Sequence, residues 1–153
     1  MHAKPVFLCF LASLSLSWLG YASSPAAERE LYKVIVNPHN DIAVIDREFL
    51  RDAYLKKQTE WPQGRHGGAI RPISLSRKFA AHDQFARGVI QKTPAQLKTY
   101  WNQQIFSGKG IPPPEADTPE DVISYVLANP GAIGYLPANV PPGDAKLIEV
   151  RRP

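Results

Sequence analysis

The sequence predicts an α/β domain in which a small mixed sheet is flanked by helices. Three observations predict this class: β-branched runs that end at turn residues, stretches whose apolar side chains recur at helical spacing, and the alternation of the two patterns along the chain. Few strands are predicted, and the last two are joined by a loop instead of a helix. We therefore expect at least one antiparallel or crossing strand in the sheet.

The first 22 residues have the pattern of a signal peptide. Lys4 gives a positive start, residues 6–19 form an apolar run interrupted only by serines, and Gly20 and Ala22 are small residues at the two positions that a signal peptidase reads. The run is shorter than the about 20 residues that cross a bilayer. We predict a cleaved signal peptide at 1–22, a flexible segment at 23–30, a folded domain at 31–153 and a periplasmic location.

Composition excludes several classes of function. The single cysteine, Cys9, lies inside the apolar run, so the processed chain has no disulfide, thiolate metal site or cysteine nucleophile. The formal net charge is +4, with 18 Lys and Arg interleaved among 14 Asp and Glu. Nucleic-acid-binding proteins concentrate their positive charge on one face, whereas the clusters here contain only two cations each. We therefore predict no nucleic-acid partner.

The first half of the domain contains two predicted strands and one helix. Residues 32–36 are a compact β-branched run ended by an Asn-Pro pair, which predicts a buried strand. Asp46 stands where the N-cap of a helix of about ten residues is expected, since apolar residues follow it at helical spacing. Residues 70–75 predict a short strand, and Pro72 places it near an edge of the sheet because proline cannot donate to the ladder.

Three helices and two strands are predicted in the second half. Two of the helices begin with a Thr-Pro pair, at Thr93 and Thr118, in which threonine is the N-cap and proline takes the first helical position. An Asn-Pro-Gly sequence ends the last helix. The predicted elements are helices at 77–91, 93–104 and 118–128 and strands at 132–136 and 146–150.

The sequence predicts neither an enzyme nor a metal centre. The histidines that remain after processing, His39, His66 and His82, include no pair at helical i, i+4 spacing. No Gly-x-Ser-x-Gly elbow occurs. The paired carboxylates at residues 115–121 surround a helix start, where capping explains them. We therefore predict no catalytic residue, no cofactor and no metal ligand.

The junction between strand and helix at residues 74–78 is the candidate binding site. A glycine-rich stretch at 108–110 is followed by prolines and not by a helix, so it is no phosphate loop. Ser76, in contrast, can cap the following helix while its hydroxyl, the first free N–H groups and Arg77 meet an oxyanion. In the alternative, Ser76 only caps and the cations face water, and spacing alone favours that alternative.

Four segments of the chain resemble the phosphate-binding proteins that serve ABC importers. Residues 50–55 with Trp61-Pro62 resemble their leading helix and the tryptophan segment after it, and residues 70–73 resemble the next strand. Residues 128–135 look like the helix stop and Gly-x-Ile-Gly-Tyr strand of that family. Residues 105–110 are similar to a compact single-lobe subgroup. The resemblance implies one lobe of a type II periplasmic-binding-protein fold, with an ancestral site for phosphate or another oxyanion.

The ligand-binding turn departs from the family pattern. Relatives have a stretch like Arg-Ser-Asp-Gly-Ser-Gly-Thr before the helix, whereas residues 75–81 here read Leu-Ser-Arg-Lys-Phe-Ala-Ala, and only Ser76 matches. We therefore expect weak or lost phosphate binding. Any affinity should centre on Ser76, Arg77 and Lys78, with His82 one helical turn further on.

A second hypothesis is an interaction module that has kept the fold and lost the ligand. It would dock on a membrane transporter or another periplasmic protein. Tyr54, Trp61, Tyr100 and Trp101 are its candidate interface anchors, since aromatic residues dominate the energetics of many interfaces. The competing interpretation is that these aromatic residues belong to the core.

Overall fold

The structure is a computed structural model, and it describes residues 31–62 and 68–152. The predicted signal peptide, the flexible segment and the loop with His66 lie outside these ranges. The strands are β1 (Tyr32–Val36), β2 (Val44–Asp46), β3 (Arg71–Pro72), β4 (Ser74–Leu75), β5 (Glu115–Ala116), β6 (Ala132–Pro137) and β7 (Lys146–Arg151). The helices are α1 (Arg47–Tyr54), α2 (Ala80–Phe85), α3 (Pro94–Phe106) and α4 (Pro119–Ala128), with a π-helical segment at Ala86–Ile90 directly after α2.

Five strands form the main sheet, in the order β2-β7-β1-β6-β3. The central strand β1 is antiparallel to both neighbours, and its Val34 lies opposite Tyr135 on one side and Ile148 on the other. β2 is parallel to β7, and β3 is parallel to β6. The four outer strands therefore run in one direction and end at one edge, which we call the carboxyl edge. The predicted mixed sheet with an antiparallel strand is confirmed.

Past β3 the chain continues into a second sheet of two strands. Ile73 still bonds the main sheet, since its N–H donates to the carbonyl oxygen of Ile133 at 2.9 Å. β4 then pairs in parallel with β5, with Ser74 opposite Glu115. Pro72 lies in the last strand of the main sheet, as the sequence predicts, because an edge strand tolerates a residue without an N–H.

Helices cover both faces of the sheet. Adjacent residues of a strand point to opposite faces of the sheet. Gly134 and Tyr135 of β6 therefore show which helix covers each face. Gly134 faces Val122 of α4 so closely that an added Cβ would lie 2.6 Å from its Cγ1. Tyr135 stacks its ring on that of Phe85 in α2, with the centroids 4.0 Å apart. The core therefore lies in two layers, with α4 on one side and α2 on the other.

The observed elements differ from the predicted ones at their ends. β2 and β5 were not predicted, because strands of three and two residues carry too little periodicity to be recognised. Asp46 is the N-cap residue of α1, as predicted, although its side chain makes no capping hydrogen bond. The start of α3 is confirmed in full, since Thr93 and Gln96 form a reciprocal capping box.

Candidate functional site

The turn at residues 76–79 stands at the carboxyl edge, directly after β4. Ser76 is buried, and its N–H donates to the carbonyl oxygen of Ala116 at 2.9 Å, which extends the pairing of β4 with β5. Its own carbonyl oxygen accepts the N–H of Phe79 at 3.2 Å and closes a four-residue turn. Open α/β sheets bind ligands outside the carboxyl ends of their strands, and Ser76 lies at such a position.

The helix after this turn begins later than the sequence predicts. α2 starts at Ala80, and its N-cap residue is Phe79, which has no capping side chain. Ser76 as an N-cap is therefore wrong. The reason is local: residues 76–79 close their own turn, and Phe79 packs its half-buried ring against the core before the helix begins. The N-cap residue of α2 thus lies three residues after Ser76, so the free N–H groups of the helix start are further from Ser76 than the sequence predicts.

The cations of the turn are exposed, and two of the candidate residues face carboxylates. Arg77 and Lys78 lie at the surface. The Nζ atom of Lys78 is 3.9 Å from Oδ1 of Asp117, in a pair so exposed that it contributes little to stability. The half-buried His82 has its Nδ1 atom 3.3 Å from Oδ1 of Asp83. These acids reduce the positive potential that an oxyanion would meet.

The start of α4 lies beside the turn, because β5 ends next to β4. Thr118 caps α4 by accepting the N–H of Asp121 at 3.2 Å, and its hydroxyl donates to Asp121 Oδ2 at 2.7 Å. Glu120 adds a second acid to this first turn. Carboxylates therefore already occupy the positive end of this helix, and they oppose an approaching anion.

An aromatic cluster supports the turn from below. The rings of Tyr54 and Tyr135 pack with Phe85 between the sheet and α2, at centroid distances of 4.7 and 4.0 Å from Phe85. The Tyr54 hydroxyl donates to the carbonyl oxygen of Ile73 at 2.9 Å, and the Tyr135 hydroxyl to that of Leu75 at 3.4 Å. Burial, with a smaller contribution from Tyr135, raises the pKa of Tyr54 well above 10, and burial also raises the pKa of Tyr135. The strand that leads into the turn is therefore held by two buried hydroxyl groups.

The proposed aromatic anchors are largely covered within the domain, and Tyr54 and Trp61 belong to its main hydrophobic core. Tyr54, Trp61 and Trp101 are buried, and Trp61 donates its Nε1–H to the carbonyl oxygen of Gly131 at 3.0 Å. Tyr100 is half-buried, and its hydroxyl donates to the carbonyl oxygen of Leu55 at 2.6 Å. Their reading as exposed interface anchors is wrong, because spacing alone does not tell which face of a helix is covered.

A second polar region was not predicted from the sequence. A cavity of about 290 Å³ at the start of α1 is lined by charged residues of α1 and of the ends of β2 and β7, among them Arg47, Arg51 and Arg151. Arg51 is engaged by Glu48 at 2.8 Å and by Asp52 at 3.1 Å. The Nε atom of Arg47 is buried without a hydrogen-bond partner. No sequence motif marks this cavity, because it is assembled from four separate elements, namely β2, α1, the end of the π-helical segment and β7.

The described residues contain neither a metal-type cluster nor a membrane-spanning helix. Among residues 31–62 and 68–152, no three His, Cys, Asp or Glu side chains come together in a group able to hold a metal ion. Over the same residues, no helix has the length and apolar character needed to span a bilayer.

Comparison with solved structures identifies the fold. An ABC-type phosphate transport receptor from Vibrio cholerae matches with a TM-score of 0.61 at 17% sequence identity, over 78% of this chain and 45% of its own. A phosphate-bound putative phosphate ABC transporter substrate-binding protein from Clostridium perfringens gives 0.60 at 19%, over 78% and 44%. PstS from Borrelia burgdorferi gives 0.60 at 16%, over 79% and 47%. No protein-family model and no curated protein matches the sequence.

These similarities define a class of fold. The described residues form one lobe of a periplasmic-binding-protein fold, and the predicted α/β class is confirmed. The particular neighbours are phosphate-binding components of ABC transporters, the family that the four sequence segments resemble. The chain spans less than half the length of each of these three structures.

Proposed function

We propose that this chain is an exported, non-enzymatic solute-binding-like protein whose affinity for phosphate or another oxyanion is weak or lost. The fold is that of solute-binding proteins, and the neighbours are named as a transport receptor and substrate-binding proteins, not as enzymes. The observation that carries the proposal is the position of Ser76 at the carboxyl edge, in a turn whose other ligand-type residues are replaced. The proposed location is the periplasm, reached through the signal peptide at residues 1–22.

Weak binding follows from the chemistry of the turn. Tight binding of an oxyanion needs several convergent donors and the exclusion of water. Arg77 and Lys78 are exposed, and Asp117 lies within 4 Å of the Lys78 ammonium group. Any anion held at Ser76 would therefore meet one buried residue, exposed cations and the carboxylates of the α4 start.

Calorimetric titration of the processed protein with inorganic phosphate tests this proposal. We expect a dissociation constant of about 1 mM or weaker, since few donors converge. If heat is detected, Arg77→Ala should weaken binding several-fold, whereas the matched exposed arginine variant Arg87→Ala should not. A micromolar dissociation constant would contradict weak binding, and an equal effect of the two arginine variants would contradict the site.

The second candidate is a module that docks on a membrane or periplasmic partner without binding a solute. The carboxylates beside Ser76 favour it, because they make the ancestral anion site electrostatically poor. A pull-down from periplasmic extract that retains the same partner for the wild type and for a Ser76→Ala, Arg77→Ala double variant would support it. Loss of that partner in the double variant would contradict this candidate, because it would show that the function depends on Ser76 and Arg77.

A further inference from the structure

The carboxyl end of α3 presents apolar side chains to solvent. Phe106 is 91% exposed, Ile111 is 69% exposed and Ile105 is 49% exposed. Lys109 lies among them and is also exposed. We call these four residues the α3 tip. Scattered apolar residues are common on protein surfaces, but here three exposed apolar side chains, one of them a nearly fully exposed phenylalanine, lie within residues 105–111.

The shape of the α3 tip is fixed by hydrogen bonds. The N–H of Gly108 donates to the carbonyl oxygen of Ile105 at 3.0 Å, and that of Lys109 to Gln104 at 2.9 Å, which together form a Schellman motif. Gly108 has a φ of 66°, the left-handed conformation that this motif requires. A triple proline at 112–114 follows Ile111 and stiffens the chain. The apolar side chains are therefore presented on an ordered turn.

Helix α3 projects this turn from the domain. Trp101 is the one residue of α3 that is buried, and it lies outside the main hydrophobic cluster of the described residues. Leu97 and Tyr100 are only partly buried against the core. The last turn of the helix, from Gln103 onward, has no buried residue. Within the described residues, no other part of the domain covers the apolar side chains of the tip.

The segment of the chain that carries the tip has charges of a single sign. From Gln84 to Pro114 the sequence contains four basic residues and no acidic residue. Two of these cations, Lys98 and Lys109, are exposed on α3 and on the turn after it. The 14 acidic residues of the chain all lie elsewhere, although the chain as a whole interleaves its charges. An apolar tip inside a purely cationic segment complements a surface that is anionic outside and apolar beneath.

We propose that the α3 tip inserts into the interface of an anionic lipid bilayer. A bilayer accepts a few apolar side chains to a depth of about 5–10 Å, and its anionic headgroups attract nearby lysines. A stable protein interface instead buries about 800 Å² on each partner, far more than three side chains on a projecting turn supply. The inference rests on the exposed tip and its charge, and it does not depend on the proposed solute-binding function.

Vesicle flotation with the processed protein, its N-terminus read by intact mass, tests the proposal. We expect binding to phosphatidylcholine vesicles with about 30 mol% phosphatidylglycerol and about tenfold less binding to phosphatidylcholine alone. Phe106→Ser should lower partitioning about tenfold, because Phe106 supplies the largest single share of the inserted apolar area. Lys109→Glu should lower it at least about fivefold. The matched control is Leu147→Ser, a 50% exposed leucine on β7, which should leave binding unchanged.

A site-specific reporter shows whether the tip itself enters the lipid. In the processed protein, which no longer contains Cys9, an environment-sensitive fluorophore on Ser107→Cys should shift to the blue on anionic vesicles, and one on Leu147→Cys should not. The proposal is overturned if the wild type does not bind these vesicles, or if Leu147→Ser weakens binding as much as Phe106→Ser. It is also overturned if light scattering shows that the protein self-associates through Phe106 and if neither the monomer nor the oligomer binds vesicles.

Discussion

Single side chains account for the weak affinity expected of the Ser76 turn. Ser76 is buried and held by the backbone of Ala116, so its position is well defined. Arg77 and Lys78, which follow it, are exposed and adjustable, and a charge in water binds an anion far less tightly than one in a closed site. The residue that the sequence resemblance matched is thus buried, whereas the two cations that follow it are exposed.

Gly134 permits the close packing of α4 on β6. An alanine Cβ there would lie 2.6 Å from Cγ1 of Val122 and 3.1 Å from Cγ2 of Ile73, both of which are buried. We predict that Gly134→Ala lowers the free energy of unfolding by about 1–3 kcal/mol, because helix and strand must separate. Urea denaturation measures it. Gly88→Ala is the control, since its nearest neighbour would be 3.9 Å away, and equal losses would refute the explanation.

The two buried tyrosines predict a loss of stability at high pH. Burial raises the pKa of Tyr54 and of Tyr135 in the folded state, so folded tyrosines keep protons that the unfolded chain releases above about pH 10. Their contribution is complete below pH 10 and is lost as the pH rises toward the folded-state pKa. Each tyrosine then lowers the free energy of unfolding by about 1.4 kcal/mol per pH unit.

Urea unfolding between pH 8 and about pH 11 checks this dependence. Tyr54→Phe keeps the ring and removes one ionisable group, so its stability should fall less steeply with pH than that of the wild type. At pH 8 the variant should be less stable by about 1 kcal/mol, because the hydrogen bond to Ile73 is lost. Parallel curves for the two proteins would show that Tyr54 is not responsible.

At the scale of elements, Asn37 ties the end of α4 to the end of β1. Its Nδ2 group donates to the carbonyl oxygens of Val126 and Leu127, at 2.9 and 3.0 Å, and its Oδ1 accepts the N–H of His39 at 2.9 Å. The side chain is buried. It therefore satisfies two carbonyls that the last turn of a helix leaves without partners.

We predict that Asn37→Ala destabilises the protein by about 2 kcal/mol, because buried carbonyls lose their donors. Thermal unfolding should show a transition several degrees lower. The control is Asn102→Ala, at an exposed position of α3, which should change stability by less than about 0.5 kcal/mol. A similar loss in both variants would mean that Asn37 does not act through the end of α4.

How well each helix or strand could be predicted depends on its length and on the start and stop residues at its ends. β1 and β6 were predicted because continuous apolar runs end at Pro or Gly, and α3 because Thr93-Pro94 marks its start. The delayed start of α2 was missed, since a buried Ser76 that closes a turn has the same sequence signal as a helix cap. The capping role of Asn37 was also missed, because its partners on α4 are about ninety residues away.

At the scale of the whole molecule, the fold was more predictable than the site. Alternating patterns and a family resemblance led to a single binding-protein lobe, which the solved structures confirm as the fold. The surroundings of Ser76 depend on which strands lie side by side. β5 brings Asp117 and the acidic start of α4 next to β4, and no local pattern announces this pairing of residues forty positions apart.

The lobe also separates two surfaces with different chemistry. The carboxyl edge carries Ser76 among mixed charges, whereas the α3 tip with Phe106 lies in a segment that has cations only. Variants of one surface should leave the other unaffected, since the cations of the turn and the side chains of the tip are all exposed. The proposed solute turn and the proposed lipid contact are therefore experimentally separable.

The central claim is that a binding-protein lobe has kept the position of its ligand-binding turn and has lost most of its affinity for the anion. Amide-resolved NMR titration of the processed protein with inorganic phosphate tests it most directly. The account predicts small shifts confined to residues 76–79 that are no more than about half complete at about 1 mM phosphate, or no shifts at all. Saturation at micromolar phosphate, or shifts centred on Arg47 and Arg151 instead, would contradict it.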